Sequence, residues 1–270
     1  MVNLIKTDLK RVLKDKMFIV LCILCVVFAA ITPLMYKGIM SLDSSMEEMM
    51  GSMVSPIALF FNAFSLGGNF GPIAPILVVL ILCMDFTHGS IRNKIISGHS
   101  RESIFGAMLC VNAIVLTGFI VVHALLTLGL SVILFPNAEI TVDAGYFLLS
   151  MLFELLAYLF MAALLTWMWG ALKNTGMVIV LYVAAIFGMT LVGTITAVAV
   201  EIIPLTGGNP NLVKFLEIFQ NCNLFYSTAF IGAGEEYITR EILCYLLSPI
   251  VCGGGLLTLG FLKFGKRDLK

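Results

Sequence analysis

Residues 104–135 read IFGAMLCVNAIVLTGFIVVHALLTLGLSVILF, an apolar run that holds no Asp, Glu, Lys or Arg and one histidine, His123. A surface helix needs a polar face, and this run has none. It also exceeds the roughly 20 apolar residues that cross the hydrocarbon core of a bilayer. Because hydrocarbon offers no partner to a backbone N–H or C=O, such a run must pair them internally as a transmembrane helix.

Working outward, five similar runs lie at 17–36, 56–84, 145–170, 177–200 and 241–261. With 60% hydrophobic and 12% charged residues over 270 positions, the whole chain falls outside the range of soluble globules. The reading is an all-α polytopic membrane protein with six transmembrane helices, forming a single domain over 1–270. Two of the runs, 56–84 and 104–135, are longer than a bilayer demands, which implies tilt, a kink or extension into water. Gly67, Gly68, Gly71, Pro72 and Pro75 mark a break inside 56–84, since glycine loosens the backbone and proline removes a donor.

Charge orients the array, because Lys and Arg flanking spans are retained on the cytoplasmic side. With the N-terminus inside, the inner segments collect Lys6, Lys10, Arg11, Lys14, Lys16, Arg92, Lys94, Arg101, Lys173, Lys263, Lys266, Arg267 and Lys270. Lys37, Lys214 and Arg240 fall outside, where Asp43, Glu47, Glu48, Glu139, Asp143, Glu201, Glu217, Glu235, Glu236 and Glu241 gather. Both termini are therefore expected in the cytoplasm, and the localisation expected is the bacterial cytoplasmic membrane.

Within residues 1–16, Ile5, Leu9, Val12, Leu13 and Lys16 recur at helical spacing, with Lys6, Lys10 and Lys14 displaced from that stripe. This predicts an interfacial elbow helix before the first span; a merely solvated basic tail is the alternative. The seven cysteines are scattered through apolar runs as small packing residues, and Cys22-Ile23-Leu24-Cys25 has redox spacing inside a lipid-facing helix. Cys222 and Cys244 both fall near the outer surface, and spacing does not decide whether they bridge.

Between the second and third runs lies Asp85-Phe86-Thr87-His88-Gly89-Ser90-Ile91-Arg92-Asn93-Lys94. Ile91, Ile95 and Ile96 share one face there while Arg92, Asn93 and Lys94 point elsewhere, with Ser90 as N-cap, so a small amphipathic helix is predicted. Ser100-Arg101-Glu102 then caps the third span. An ordinary solvated loop carries the same charges. Residues 201–240 are too long for a turn and too apolar for a disordered loop. Asn209-Pro210 starts a helix with Leu212, Phe215, Leu216 and Phe219 in one stripe, opposed by Lys214 and Glu217, and an apolar piece from 221 to 234 follows. Two helices dipping back from the outer face satisfy this pattern. The chain lacks a phosphate-cradling Gly-x-x-x-x-Gly-Lys-Ser/Thr loop, so any ATP-driven work comes from a partner.

The order of these parts resembles the ABC-2 type permeases, the transmembrane subunits of a class of ABC exporters. The residues that carry the resemblance are the basic segment Asn3 to Arg11, the turn Asp85 to Asn93 followed by Gly98-His99-Ser100-Arg101, the outer pair of helices, and the closing Phe264-Gly265-Lys266-Arg267-Asp268-Leu269. The resemblance implies an elbow over 1–16, a cytoplasmic coupling region over 85–103 and an extracellular re-entrant region over 201–240. It implies docking on an ATP-binding subunit through Asp85, Gly89, Ile91, Arg92, Asn93, Lys94 and Arg101. Two ATPase copies and a second permease, expected to be identical, would complete the unit. The chain would then be a transport subunit and not an enzyme, with ATP and magnesium held by the partner. Its substrate would be amphipathic or hydrophobic: a peptide of the phenol-soluble modulin or bacteriocin kind, an antibiotic or a lipid. Membrane lipid is the other expected contact, and no nucleic acid is. Ala184, Gly188 and Gly193 in the fifth span suit close helix approach.

Two ionisable residues lie at membrane depth. Glu154 and His123 each sit roughly 14 to 18 Å in, at ~1.5 Å per residue, and ionisable groups there are functional or paired. Three readings stand: a Glu154–His123 hydrogen bond, Glu154 facing a wet cavity, or a protonated Glu154 satisfied by a neighbour such as Tyr158. The stripe Met46, Met49, Met50 and Met53 offers thioethers that suit Cu(I) but also an adaptable apolar surface. Finally, Glu235-Glu236-Tyr237-Ile238-Thr239-Arg240 and Phe119-x-x-x-His123 match motifs of the Glu-Glu-x-x-x-Arg intramembrane proteases. In that family the histidines follow the glutamates, and here none follows His123. A protease, or a stand-alone immunity protein, is the alternative to the exporter.

Overall fold

The computed structural model describes residues 1–42, 54–68, 70–87, 90–136, 143–172, 174–228 and 242–265, and every regular element among them is a helix. In chain order these are α1 (Val2–Lys14), α2 (Lys16–Met40), α3 (Pro56–Phe64), α4 (Ile73–Thr87), α5 (Ser90–Ile96), α6 (Arg101–Leu134), α7 (Ala144–Ala171), α8 (Thr175–Leu205), α9 (Pro210–Asn221), α10 (Leu224–Ser227) and α11 (Ile242–Gly265). Five of them, α2, α6, α7, α8 and α11, are long and apolar enough to span a membrane. This is the architecture of a multi-pass membrane protein.

Local chemistry sets the helix ends. Asp15, extended between α1 and α2, accepts the Met17 N–H at 2.8 Å, so one residue turns the chain from the first helix into the second. Ser55 caps α3 ahead of Pro56, Ser100 caps α6, Asp143 caps α7, Asn174 caps α8 and Asn209 caps α9 ahead of Pro210, each accepting a first-turn N–H. Gly98 closes α5 at φ 86°, with the His99 N–H on the Lys94 carbonyl and the Gly98 N–H on the Ile95 carbonyl, a Schellman turn that needs a left-handed residue.

The run 56–84 is not one helix. It divides into the nine residues of α3 and the fifteen of α4, and the described residues between them, 65–68 and 70–72, belong to no helix, at the glycines and proline that mark the break in the sequence. A Cβ at Gly68 would overlap the Asn62 carbonyl, and one at Gly71 would lie 2.5 Å from the Ser65 and Leu66 carbonyls, so the chain folds back on α3 where only glycine fits.

α6 and α7 form the centre and the other long helices surround them. In the most apolar stretch of each helix, 56% of α6 and 50% of α7 is buried, against 17% for α8 and 22% for α2, whose outer faces are left to hydrocarbon or a partner. At one end of the bundle Phe105 of α6 lies between Gly170 of α7 and Gly260 of α11, with the Phe261 ring 4.7 Å and the Phe264 ring 5.6 Å away. α1 packs on the same end of α6, with Met1 against Gly106.

One boundary and two helix faces differ from the sequence reading. α8 continues to Leu205, so Glu201 belongs to that helix and not to the following region. Of the predicted α1 stripe, Val12 is buried and Ile5 and Leu9 are half-buried against the core, while Leu13 is 52% exposed and Lys16 is exposed; Leu4 and the acid Asp8 complete the buried face. On α9 the stripe Leu212, Phe215 and Phe219 faces outward, and the side toward α8 is made by half-buried Val213, Leu216, Glu217 and Gln220. After Leu205 the chain doubles back: Asn223 donates to the Met189 carbonyl, and Tyr226 lies against Gly193, twelve residues before the end of α8 and so about 18 Å along it.

Candidate functional site

Two places gather the polar chemistry of this apolar chain. The first is α5 and its seat. Ile91 is buried, and Lys94 places its ammonium 2.8 Å from each carboxylate oxygen of Asp8 on α1. Asp8 is 2% exposed, and Arg11 one turn later donates to the Ser90 hydroxyl at 3.4 Å. Burial lowers the Lys94 pKa from the ordinary lysine value, and the hydrogen bond and charge of Asp8 oppose that shift. α1 and α5 are thus stapled by a charge-assisted pair. On the other side of α5, Arg92, Asn93 and Ile96 are exposed.

Of the residues assigned to coupling, Ile91 and Lys94 therefore point into the chain, and Arg92 and Asn93 point out of it. Arg101 is half-buried at the start of α6. Asp85 lies in the last turns of α4, where its side chain is outside the described residues, as is Gly89.

The second place is the α3–α4 break. A broken helix inside an apolar bundle exposes carbonyls and N–H groups that have no helical partner, and each must be met by a side chain. The long helices supply them. His123 of α6 reaches the Ala63 carbonyl through Nδ1 at 3.2 Å, so that nitrogen carries the proton, and its ring stacks on Phe70 at 4.9 Å. From α7, Glu154 Oε2 accepts the Leu66 N–H at 3.2 Å, and the Tyr158 hydroxyl donates to the Ser65 carbonyl at 3.2 Å. From α8, the Tyr182 hydroxyl donates to the Pro72 carbonyl at 3.1 Å. The Ser65 hydroxyl donates to the Thr228 carbonyl at 2.9 Å, tying the break to the segment after α10.

Glu154 and His123 are each fully buried, and both bind the break, not each other: the expected hydrogen bond between them is not formed. Tyr158 acts beside Glu154 but on a different atom of the break. Ser65, Tyr182 and Thr228 are the members that sequence reading missed. The available signal was that a glycine-proline break in a span must recruit polar side chains from its neighbours, and Tyr182 is such a side chain within an apolar run.

The methionine stripe 46–53 and the Glu235, Glu236 and Arg240 motif lie outside the described residues. Cys222 and Cys244 do not bridge. Among the described residues no three of His, Cys, Asp and Glu group as metal ligands. No family model matches the chain, and no curated protein matches it.

Proposed function

We infer that this chain is the permease subunit of an ATP-driven exporter of the ABC-2 type, moving an amphipathic or hydrophobic substrate across the bacterial cytoplasmic membrane. A separate ATPase, in two copies, supplies the energy, and a second copy of the permease completes the path. In this reading α3 and α4 together make the sixth span, α1 is the elbow, and the fold-back of α9 and α10 is the outer re-entrant pair. Both termini lie in the cytoplasm.

The observation that carries the reading is the two-sided seating of α5. One side, through Ile91 and Lys94, is fixed to α1 and the bundle; the other presents Arg92, Asn93 and Ile96 to the surface. A short helix built this way transmits a push, because force on its exposed side reaches α1 and α4 through contacts that do not slip. The basic residues of α1, α5, the start of α6 and the end of α11 also fall at one end of the bundle, which supports a cytoplasmic assignment for that end. ATP-driven closure of the partner would then bias the permease pair between two packing states.

The test is whether the chain co-purifies with a separate ATPase subunit, followed by reconstitution of the two together. Arg92→Glu should leave the protein folded and abolish substrate-stimulated ATP hydrolysis. Asn93→Cys should label only from the cytoplasmic side. Transport by the purified chain alone, or labelling of position 93 from outside, contradicts the assignment.

A further inference from the structure

α1 has three sides of different chemistry. Leu4, Asp8 and Val12, at i, i+4 and i+8, are buried against the bundle. Val2, Leu9 and Leu13 form the next strip at i, i+7 and i+11; Leu9 is half-buried, and Val2 and Leu13 are exposed. Lys6, Lys10 and Lys14 occupy the strip opposite the buried face, and all three are exposed. At ~1.5 Å per residue they make a row about 12 Å long. Asp8 is the one acid within 1–14, and it points into the bundle, where it pairs with Lys94. The row is therefore positive charge that its own helix does not neutralise.

The row lies at the edge of the lipid-facing surface. Asp15 alone separates α1 from α2, and α2 exposes Ile19, Val20 and Ile23 from its first turns onward. Exposed apolar side chains on a spanning helix meet lipid tails, so the headgroup level runs through the α1–α2 turn, beside Lys14 and Lys16. Val2 and Leu13 carry the same apolar surface onto α1. A soluble polyanion or an acidic protein face matches the lysines but leaves Val2, Leu13 and Ile19 in water. An anionic lipid matches both, its phosphate meeting the ammonium groups and its acyl chains the apolar strip. On the far side of α1, Asp8 holds Lys94 at 2.8 Å and Arg11 donates to the Ser90 hydroxyl, which fixes α5 to this helix.

We propose that the Lys6, Lys10 and Lys14 face of α1 binds the headgroups of anionic phospholipids, and that the bound lipid holds α5 in its seat through Asp8 and Lys94. The occupant is lipid of the surrounding bilayer, selected by its negative charge. In zwitterionic lipid alone the lysines repel one another along the row, α1 is held less firmly at the interface, and α5 loosens with it. The proposal requires a membrane surface at this end of the bundle, on either side of the bilayer, and is independent of the transport reading.

Titration of the detergent-solubilised full-length protein with fluorescent phosphatidylglycerol, against fluorescent phosphatidylcholine as reference, measures the binding. Phosphatidylglycerol should bind more tightly, and its advantage should fall about fivefold for each of Lys6→Gln, Lys10→Gln and Lys14→Gln. Salt at about 1 M should remove most of it. Lys37→Gln, at the other end of α2, should leave it unchanged. Hydrogen exchange of 90–96 should be slower in nanodiscs containing phosphatidylglycerol than in phosphatidylcholine alone, and the difference should vanish in the triple lysine variant. If that variant fails to fold, the wild type decides alone, with a photoactivatable phosphatidylglycerol expected to label peptides from 1–16. Equal affinity for the two lipids, a preference kept by the triple variant, label confined to other peptides, displacement of the lipid by glycerol phosphate, or binding that leaves exchange in 90–96 unchanged would each overturn the proposal. None of these results bears on whether an ATPase drives the chain.

Discussion

Asp8 and Lys94, 86 positions apart, form the tightest charged contact among the described residues, the ammonium lying 2.8 Å from each carboxylate oxygen. Asp8 is buried and the Lys94 side chain is 12% exposed, so the pair stands largely outside water. Neither helix can shift without the other while it holds.

Asp8→Asn removes the counter-charge and leaves the ammonium with a neutral amide. A loss of about 2–3 kcal/mol is expected, somewhat below the range for a fully buried pair because Lys94 retains some exposure. Thermal unfolding in detergent measures it, and a double-mutant cycle with Lys94→Met should return a coupling well above that of a surface pair. Lys94 also titrates below an unfolded lysine, so the folded state releases its proton first. The stability of wild type relative to Lys94→Met should therefore rise with pH through the lowered lysine range and level off above the ordinary one.

Gly68→Ala and Gly71→Ala each place a methyl against backbone carbonyls that cannot move aside. Both should abolish folded protein by fluorescence-detected size exclusion. Gly118→Ala and Gly129→Ala, at exposed positions of α6 with nothing within 4 Å, should be neutral or stabilise by up to about 1 kcal/mol.

A methyl at Gly260 would lie 2.5 Å from the Phe105 ring, which is itself in contact with Gly170. Gly260→Ala should lower stability by about 1–3 kcal/mol through overpacking. Phe105→Leu, harmful alone, should restore part of the loss in the double variant, as read by unfolding midpoints.

Gly193 and Gly188, five residues apart on α8, should respond differently to enlargement. Gly193→Leu drives a side chain into Tyr226 and should detach the fold-back from α8, seen as new protease sensitivity between 206 and 228. Gly188 is exposed with nothing within 4 Å, so Gly188→Leu should leave the monomer intact and weaken association with a second copy, measured by crosslinking in lipid.

The sequence by itself determined the helices and most of their ends. Runs without charge must pair their own backbone in hydrocarbon, and caps such as Ser100, Asp143 and Asn209 act over three residues, so both are local facts. The break in 56–84 was legible for the same reason, from Gly68, Gly71 and Pro72. What only the tertiary structure decided is which side chain meets which helix. His123 and Glu154 were visible as polar residues at similar depth, yet rotation about the helix axis, which no apolar run encodes, brings them to Ala63 and Leu66 and not to each other. The same holds for α1: spacing defines a helix, but the burial of Asp8 depends on Lys94 arriving from a segment 86 residues later, and a long-range charge pair leaves no trace in local periodicity.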